Sequence, residues 1–537
     1  MRPDPIIKQA GVNDSEQRLV KLCAGTFLEL WSYPNVFRSQ HANGDPEGKE
    51  VCDLVVVFGD RLLVFSDKRC ELKLKGDLDV DWRRWFRRAV RGAEKQLRGA
   101  ERWLTNSPES IFLDRQCEQP MPFDLSQIDA KKTHRIVVAS GASASIRDWS
   151  NGDWPGLVLF TPLKDDHHDR QRPQLRDADS DDWKNFILRF PEDWNHLGNT
   201  LPFMIGDIST EDPFVHVFDE RAIEILLQEL DTMQDFVEYL DQRAAIIRNE
   251  TFTLAPSEED LLAFYLRSFN DEKLHYFPFD GPQEIKLIPN GEWDDFVASG
   301  LQQDRRSQNE SSYAWDKLIE TFSLGILDGS SPAYELAEFS EQELAVRAMA
   351  RESRLQRRGL VEAFKGLLSD PDQKNLMART CDRRDYGFAT FIFVIVRPEE
   401  GEGKEDYTVR RHAICVAYML EAKRKLAPNG EVVVITTEPL DFQNFRSEHV
   451  FYRSAEPLTE SEYEPVRPII EELNILKSTI VTSHLPLSEY SSEAVATFNF
   501  GNLDLPCDCG RGRRRRNCCY QLDILFPEGN SPIGRQL

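Results

Sequence analysis

Apolar residues recur along this chain at two periods, and the change from one to the other marks out the elements. Leu19, Leu22, Cys23, Phe27 and Leu30 repeat at helical spacing behind Asp14 and Ser15, either of which can cap a helix running to about Trp31. Next comes a strand, Cys52 to Phe58, apolar except for Asp53. A Gly59-Asp60 turn and a return over Arg61 to Lys68 complete a hairpin. If Phe58 faces Arg61, then Asp53 lies opposite Ser66. Lys68 falls on the same face, which is otherwise lined by Val55, Val57, Leu62 and Val64. The helical period returns over Asp81 to Leu104, with Trp82, Trp85, Phe86, Ala89, Ala93, Leu97, Ala100 and Trp103 on one side and Gln96 turned toward them. Further strands are expected at Arg135–Ser140, Gly156–Phe160 and Phe203–Gly206, a charged surface loop at Lys164–Asp182, and a long helix over Glu220–Asn249.

Beyond Pro256 the pattern starts again with helices at Glu258–Phe269, Ser312–Leu324 and Ser340–Leu368. An apolar strand (Phe388–Val396), an acidic loop, a helix (Thr408–Lys425) and a second strand (Glu431–Thr437) follow. Strand–helix–strand order with apolar strands predicts an α/β layer holding a parallel pair. The expected organisation is α/β throughout: an N-terminal region 1–256, an α/β accessory region 257–500 and a Cys-rich tail 501–537.

Charge narrows the functions. The chain carries 91 acidic against 66 basic residues, a formal net charge of -25, so nucleic acid must be met by a local patch working against the global field. The helix over 81–104 offers one. Arg84, Arg88, Arg91, Lys95, Arg98 and Arg102 fall in a narrow stripe opposite its apolar side, where a solvated face or a phosphate-facing stripe can both account for them. The longest apolar run lies near Phe391–Val396, far short of the ~18 residues of a membrane span. The first ten residues lack a secretory pattern, so a cytoplasmic protein without membrane contact is expected. Six scattered cysteines (23, 52, 70, 117, 381 and 415) fit reduced thiols.

The other four cysteines lie together. Cys507, Cys509, Cys518 and Cys519 are spaced Cys-x-Cys, eight residues, Cys-Cys, and Gly510 and Gly512 allow the tight turns a tetrahedral thiolate shell needs. Structural zinc is the expected ligand. At these residues the tail resembles the SEC-C motif, the zinc knuckle of the bacterial protein-export ATPase that also occurs on many other bacterial proteins. Arg511 stands where that family usually has Ser and Arg515 where an aromatic is common. The resemblance implies contact with a protein partner, and Arg511 to Arg516 could equally meet phosphate.

The N-terminal order is a helix with Glu16, a strand with Asp53, a strand ending in Lys68 and a helix with Gln96. It resembles the PD-(D/E)xK, restriction-endonuclease-like superfamily. Lys49-Glu50-Val51-Cys52-Asp53 is similar to the Lys-Glu-x-Cys-Asp strand of nuclease-related domains. The resemblance covers about the first 105 residues and implies a three-layer domain. By position, Asp53 would be the main ligand of Mg²⁺ or Mn²⁺, with Glu16 a second carboxylate near the metal. Lys68 would act on the attacking water and the phosphate, and Gln96 would support the site. Ser66 departs from the pattern, standing where the family has Asp or Glu; Glu16, Glu50 and Asp67 are the candidates for a displaced acid. The expected function is metal-dependent cleavage of DNA or RNA, by analogy in defence against foreign nucleic acid. The alternative is a non-catalytic adaptor, or a nucleic-acid-binding protein with a degenerate nuclease fold that docks partners through its knuckle.

Overall fold

The computed structural model describes residues 5–39, 47–152, 154–161, 202–209, 212–248, 252–270, 274–277, 285–288, 290–329, 339–370, 374–381, 389–442, 448–477, 488–491 and 494. The elements begin with α1 (Asp14–Trp31), β1 (Ser32–Arg38), β2 (Lys49–Phe58), β3 (Arg61–Arg69) and α2 (Leu78–Phe86). A π turn (Arg87–Arg91) leads into α3 (Gly92–Asn106), followed by β4 (Ile111–Phe112), β5 (Thr133–Ser140) and α4 (Ser143–Trp149). Then come β6 (Val158–Thr161), β7 (Met204–Ile205), β8 (Val215–Phe218), α5 (Glu220–Glu229), α6 (Met233–Arg248), β9 (Phe252–Ala255), α7 (Glu258–Leu266) and β10 (Ile285–Leu287).

The hairpin has the register expected from its turn. Phe58 pairs with Arg61, Val57 with Leu62 and Leu54 with Phe65, and Gly59 takes φ 62° at the turn, a conformation glycine adopts without steric cost. It lies within a six-stranded sheet of order β4-β1-β2-β3-β5-β8, antiparallel from β4 to β3 and parallel from β3 to β8. Alternation along β2 and β3 feeds two cores. Leu54, Val56, Phe58, Leu63 and Phe65 pack with Phe27 of α1 and Phe236 of α6. Val55, Val57, Leu62 and Val64 pack with Trp82, Trp85, Ala89, Ala93 and Leu97 of the α2–α3 rod. Helices therefore cover both faces of the sheet.

Local capping corrects several expected boundaries. The cap of α1 is Asn13, whose side chain accepts the N–H groups of Ser15 and Glu16. The helix expected over Glu220–Asn249 is two helices. Thr232 restarts it by accepting the Asp235 N–H at 3.1 Å, and a short hydroxyl side chain competes with the helical ladder at such points. The span expected over Ser340–Leu368 divides likewise, because Ser353 and Gln356 form a capping box that starts a new helix.

The remaining elements are α8 (Glu292–Ala298), α9 (Leu301–Asn309), α10 (Tyr313–Leu327), α11 (Phe339–Ala350), α12 (Arg354–Leu368), β11 (Leu376–Cys381), β12 (Ala389–Val396), α13 (Lys404–Lys425), β13 (Glu431–Thr437) and β14 (His449–Arg453), with short turns of helix after it. As expected, β12 and β13 are parallel, and β11 and β14 flank them antiparallel. A further four-stranded sheet, β10-β9-β6-β7, pairs strands from either side of residue 256. Trp31 Nε1 donates to Glu343 at 2.8 Å across the same divide, and one apolar core runs from Leu19 to Val433. Among the described residues no helix is long and apolar enough to cross a membrane.

Candidate functional site

Antiparallel pairing puts the start of β2 beside the end of β3, so Asp53 and Lys68, 15 positions apart, come together. Asp53 is buried and Ser66 fully so. A buried carboxylate is costly unless donors surround it, and here they do. Asp53 Oδ2 accepts the Asp67 N–H at 2.6 Å and the Ser66 hydroxyl at 3.2 Å, and Oδ1 accepts Gln96 Nε2 at 3.4 Å. Lys68 Nζ stands 3.7 Å from Oδ2 with 29 % of its side chain exposed, so its ammonium reaches both the acid and solvent. Gln96 comes from the inner side of α3, and its Oε1 lies 3.5 Å from Ser66 Oγ.

Three further carboxylates border this point. Glu16 does not project into the core. Its oxygens accept the Val12 N–H at 2.7 Å and Asn13 Nδ2 at 2.5 Å, which ties it to the start of α1. From there its charge acts on Glu50 and Asp67. Glu50 is hydrogen-bonded to Asp53, and its pKa is raised by desolvation first and then by the Asp53 and Glu16 charges. Asp67 points to the α1 side. Desolvation raises its pKa against a hydrogen bond from Ser15, and Ser140 Oγ lies 3.5 Å from its Oδ1.

The donor set bears on the expected cation. Among the described residues no three His, Cys, Asp or Glu side chains converge closely enough to enclose a metal ion. Glu50 and Asp53 do form an adjacent pair of hard oxygen donors, with Glu50 holding its proton more tightly than usual. That combination fits Mg²⁺, which binds through one or two carboxylates and keeps several waters. Ser66 Oγ is a donor to Asp53 and does not take the place of an acid.

Only part of the basic stripe is available. Arg84 pairs with Asp81 at 3.4 Å and Arg98 with Glu94 at 2.5 Å. Arg91, in the π turn, donates to the Ile208 carbonyl at 2.7 Å and lies over the Phe86 ring. Arg88, Lys95 and Arg102 are exposed and form no ion pair among the described residues. The periodicity also missed two buried acids on the inner side: Glu94, and Glu101, which is paired with Arg135. Cys507, Cys509, Cys518 and Cys519 lie outside the described residues, as does the loop expected at Lys164–Asp182. The six described cysteines are free thiols, four of them buried.

A scan against protein-family models, a search of curated proteins and a search of solved structures each matched nothing.

Proposed function

We propose that the meeting point of β2, β3 and α3 is a metal-dependent phosphodiesterase site of the PD-(D/E)xK kind, and that the chain is a nuclease acting on DNA or RNA. The observation that carries this reading is the convergence of Asp53, Lys68 and Gln96 from three separate elements, with Glu50 hydrogen-bonded to Asp53. Asp53 and Glu50 would hold Mg²⁺ or Mn²⁺. When bound, the cation would lower the pKa of a water and offset charge on the phosphate. Lys68 orients the attacking water and places a cation beside the developing negative charge. Gln96 and Ser66 hold the Asp53 carboxylate in place. Arg88, Lys95 and Arg102, on the outer side of the same rod as Gln96, supply interactions with the phosphate backbone.

The four C-terminal cysteines complete the proposal as a structural zinc knuckle that contacts a protein partner. Its test is zinc content, with one zinc per chain expected in the wild type and none in Cys507→Ser.

A second reading has a specific observation in its favour. Ser66 satisfies Asp53 with a hydroxyl where the family carries an acid, which supports a degenerate domain that binds nucleic acid or a partner without cutting. One experiment separates the two. Purified protein, Asp53→Ala and Lys68→Ala are incubated with supercoiled plasmid, single-stranded DNA and RNA, with Mg²⁺, Mn²⁺ or chelator. Metal-dependent cleavage lost in both variants supports the nuclease. No cleavage, or cleavage equal in all three proteins, overturns it in favour of the non-cleaving protein.

A further inference from the structure

Strand β1 carries a second anomaly beside Asp53. Pro34 pairs with Leu54 and Val36 with Cys52, so Asn35 falls opposite Asp53. The preceding cross-strand pair, Tyr33 and Val55, packs into the core beneath α2 and α3. Alternation places Asn35 and Asp53 on that same face, as neighbours. Asn35 is buried and interrupts the strand with a left-handed backbone, φ 49°, which Asn tolerates better than most residues. Its Nδ2 donates to the Ala10 carbonyl at 2.7 Å, which sets the orientation of the amide. That leaves Oδ1 as a buried acceptor with no hydrogen-bond partner among the described residues. Native proteins rarely leave such an oxygen unmatched, and an ion or water is a usual reason. An amide oxygen is also a hard ligand of the kind that Mg²⁺ and Mn²⁺ take.

We propose that Asn35 Oδ1 is a further oxygen ligand of the divalent cation held by Asp53 and Glu50. This inference rests on the metal-dependent reading of the site. It gives the strained residue in β1 a function. The left-handed turn and the anchor on Ala10 present a neutral oxygen at a place where another carboxylate would add to the repulsion already raising the Glu50 pKa.

The test is binding of Mn²⁺ alone to the full chain, followed by titration calorimetry and electron paramagnetic resonance. The proteins are wild type, Asp53→Ala, Asn35→Gly and Asn35→Asp. Glycine keeps the left-handed backbone accessible, and thermal melts in chelator verify that each variant is folded. The expected result is binding abolished in Asp53→Ala, weakened about tenfold or more in Asn35→Gly, and retained in Asn35→Asp, which keeps an oxygen there. Unchanged affinity in folded Asn35→Gly, with binding abolished in Asp53→Ala, overturns the role of Asn35 and leaves the site standing. No Mn²⁺ binding by wild type, or equal binding by Asp53→Ala, overturns the site and this inference with it.

Discussion

Ser66 donates its hydroxyl to Asp53 Oδ2 over 3.2 Å, so a neutral donor fills the position from which the superfamily resembled here would present a second acid. Substituting Ser66→Asp would set two carboxylates side by side in a buried place, where like charges cannot both ionise cheaply. The expected outcome is a lower melting temperature in chelator, recovered by Mn²⁺, together with tighter Mn²⁺ binding than wild type. Melting curves at matched metal concentrations measure both effects.

Lys68 is partly exposed, so its removal should leave the fold intact while removing cleavage. Acid should also weaken the site earlier than it weakens an ordinary carboxylate. Glu50 and Asp67 have raised pKa values, so their protons return at a higher pH on acidification. Metal binding competes with those protons, and affinity should rise with pH through and above the usual carboxylate range. Mn²⁺ titrations across pH, with Glu50→Gln expected to flatten the curve, provide the measurement.

The stripe separates into cations that bind protein and cations that face solvent. Neutralising Arg88, Lys95 and Arg102 should weaken nucleic-acid binding for all sequences and reduce the salt slope by about 1 for each phosphate interaction removed. Stability should not move. Arg91→Ala should instead lower the melting temperature, because it removes the donor to the Ile208 carbonyl. Salt-dependent binding isotherms beside melting curves distinguish the two groups.

His134 Nδ1 lies 3.2 Å from His216 Nε2, and both rings are buried. Burial first, and then the Arg61 charge, push the His134 pKa down to about 4. Between that value and the unfolded value near 6.5 only the unfolded chain binds the proton. Stability is therefore fully present above about pH 6.5 and falls as pH drops toward 4, by about 3 kcal/mol for this one group. Denaturant titrations of wild type and His134→Asn across this window should give a flatter profile in the variant.

Asp316 lies between Arg354 and Arg357, accepting a hydrogen bond from each at 2.7 Å. Burial alone would raise its pKa, yet the two guanidinium groups hold it below the usual value. Arg354 also bonds Asp231 at 2.8 Å, in the turn between α5 and α6. Asp316→Ala leaves buried cations short of a partner, for which about 3–5 kcal/mol of lost stability is expected. Chemical denaturation measures it.

How far the chain could be read in advance follows from the range of each interaction. The hairpin register was legible, because a two-residue turn and strict alternation are local and together place Asp53, Ser66 and Lys68 on one face. The parallel pair β12 and β13 was legible from two apolar strands joined by a helix. The helix break at Thr232 was not. An apolar stripe continues through it, and the capping hydroxyl decides the matter only once α12 approaches and Arg354 N donates to Asp235.

The candidate site divides the same way. Residue types and short spacings brought Asp53, Lys68 and Gln96 into view, since each lies on an element with a clear period. Which charges are already matched was settled by partners that periodicity does not reveal: Asp81 and Glu94 on the basic rod, Ile208 against Arg91, Val12 and Asn13 around Glu16. Asn35 gave no periodic signal, because its left-handed backbone and its lone buried oxygen arise from β1 lying between β2 and the segment at Ala10. Local pattern alone specified the strands, the turn and their chemistry. Desolvation and long-range pairing, which exist only after the chain has packed, determined which groups remain available to act.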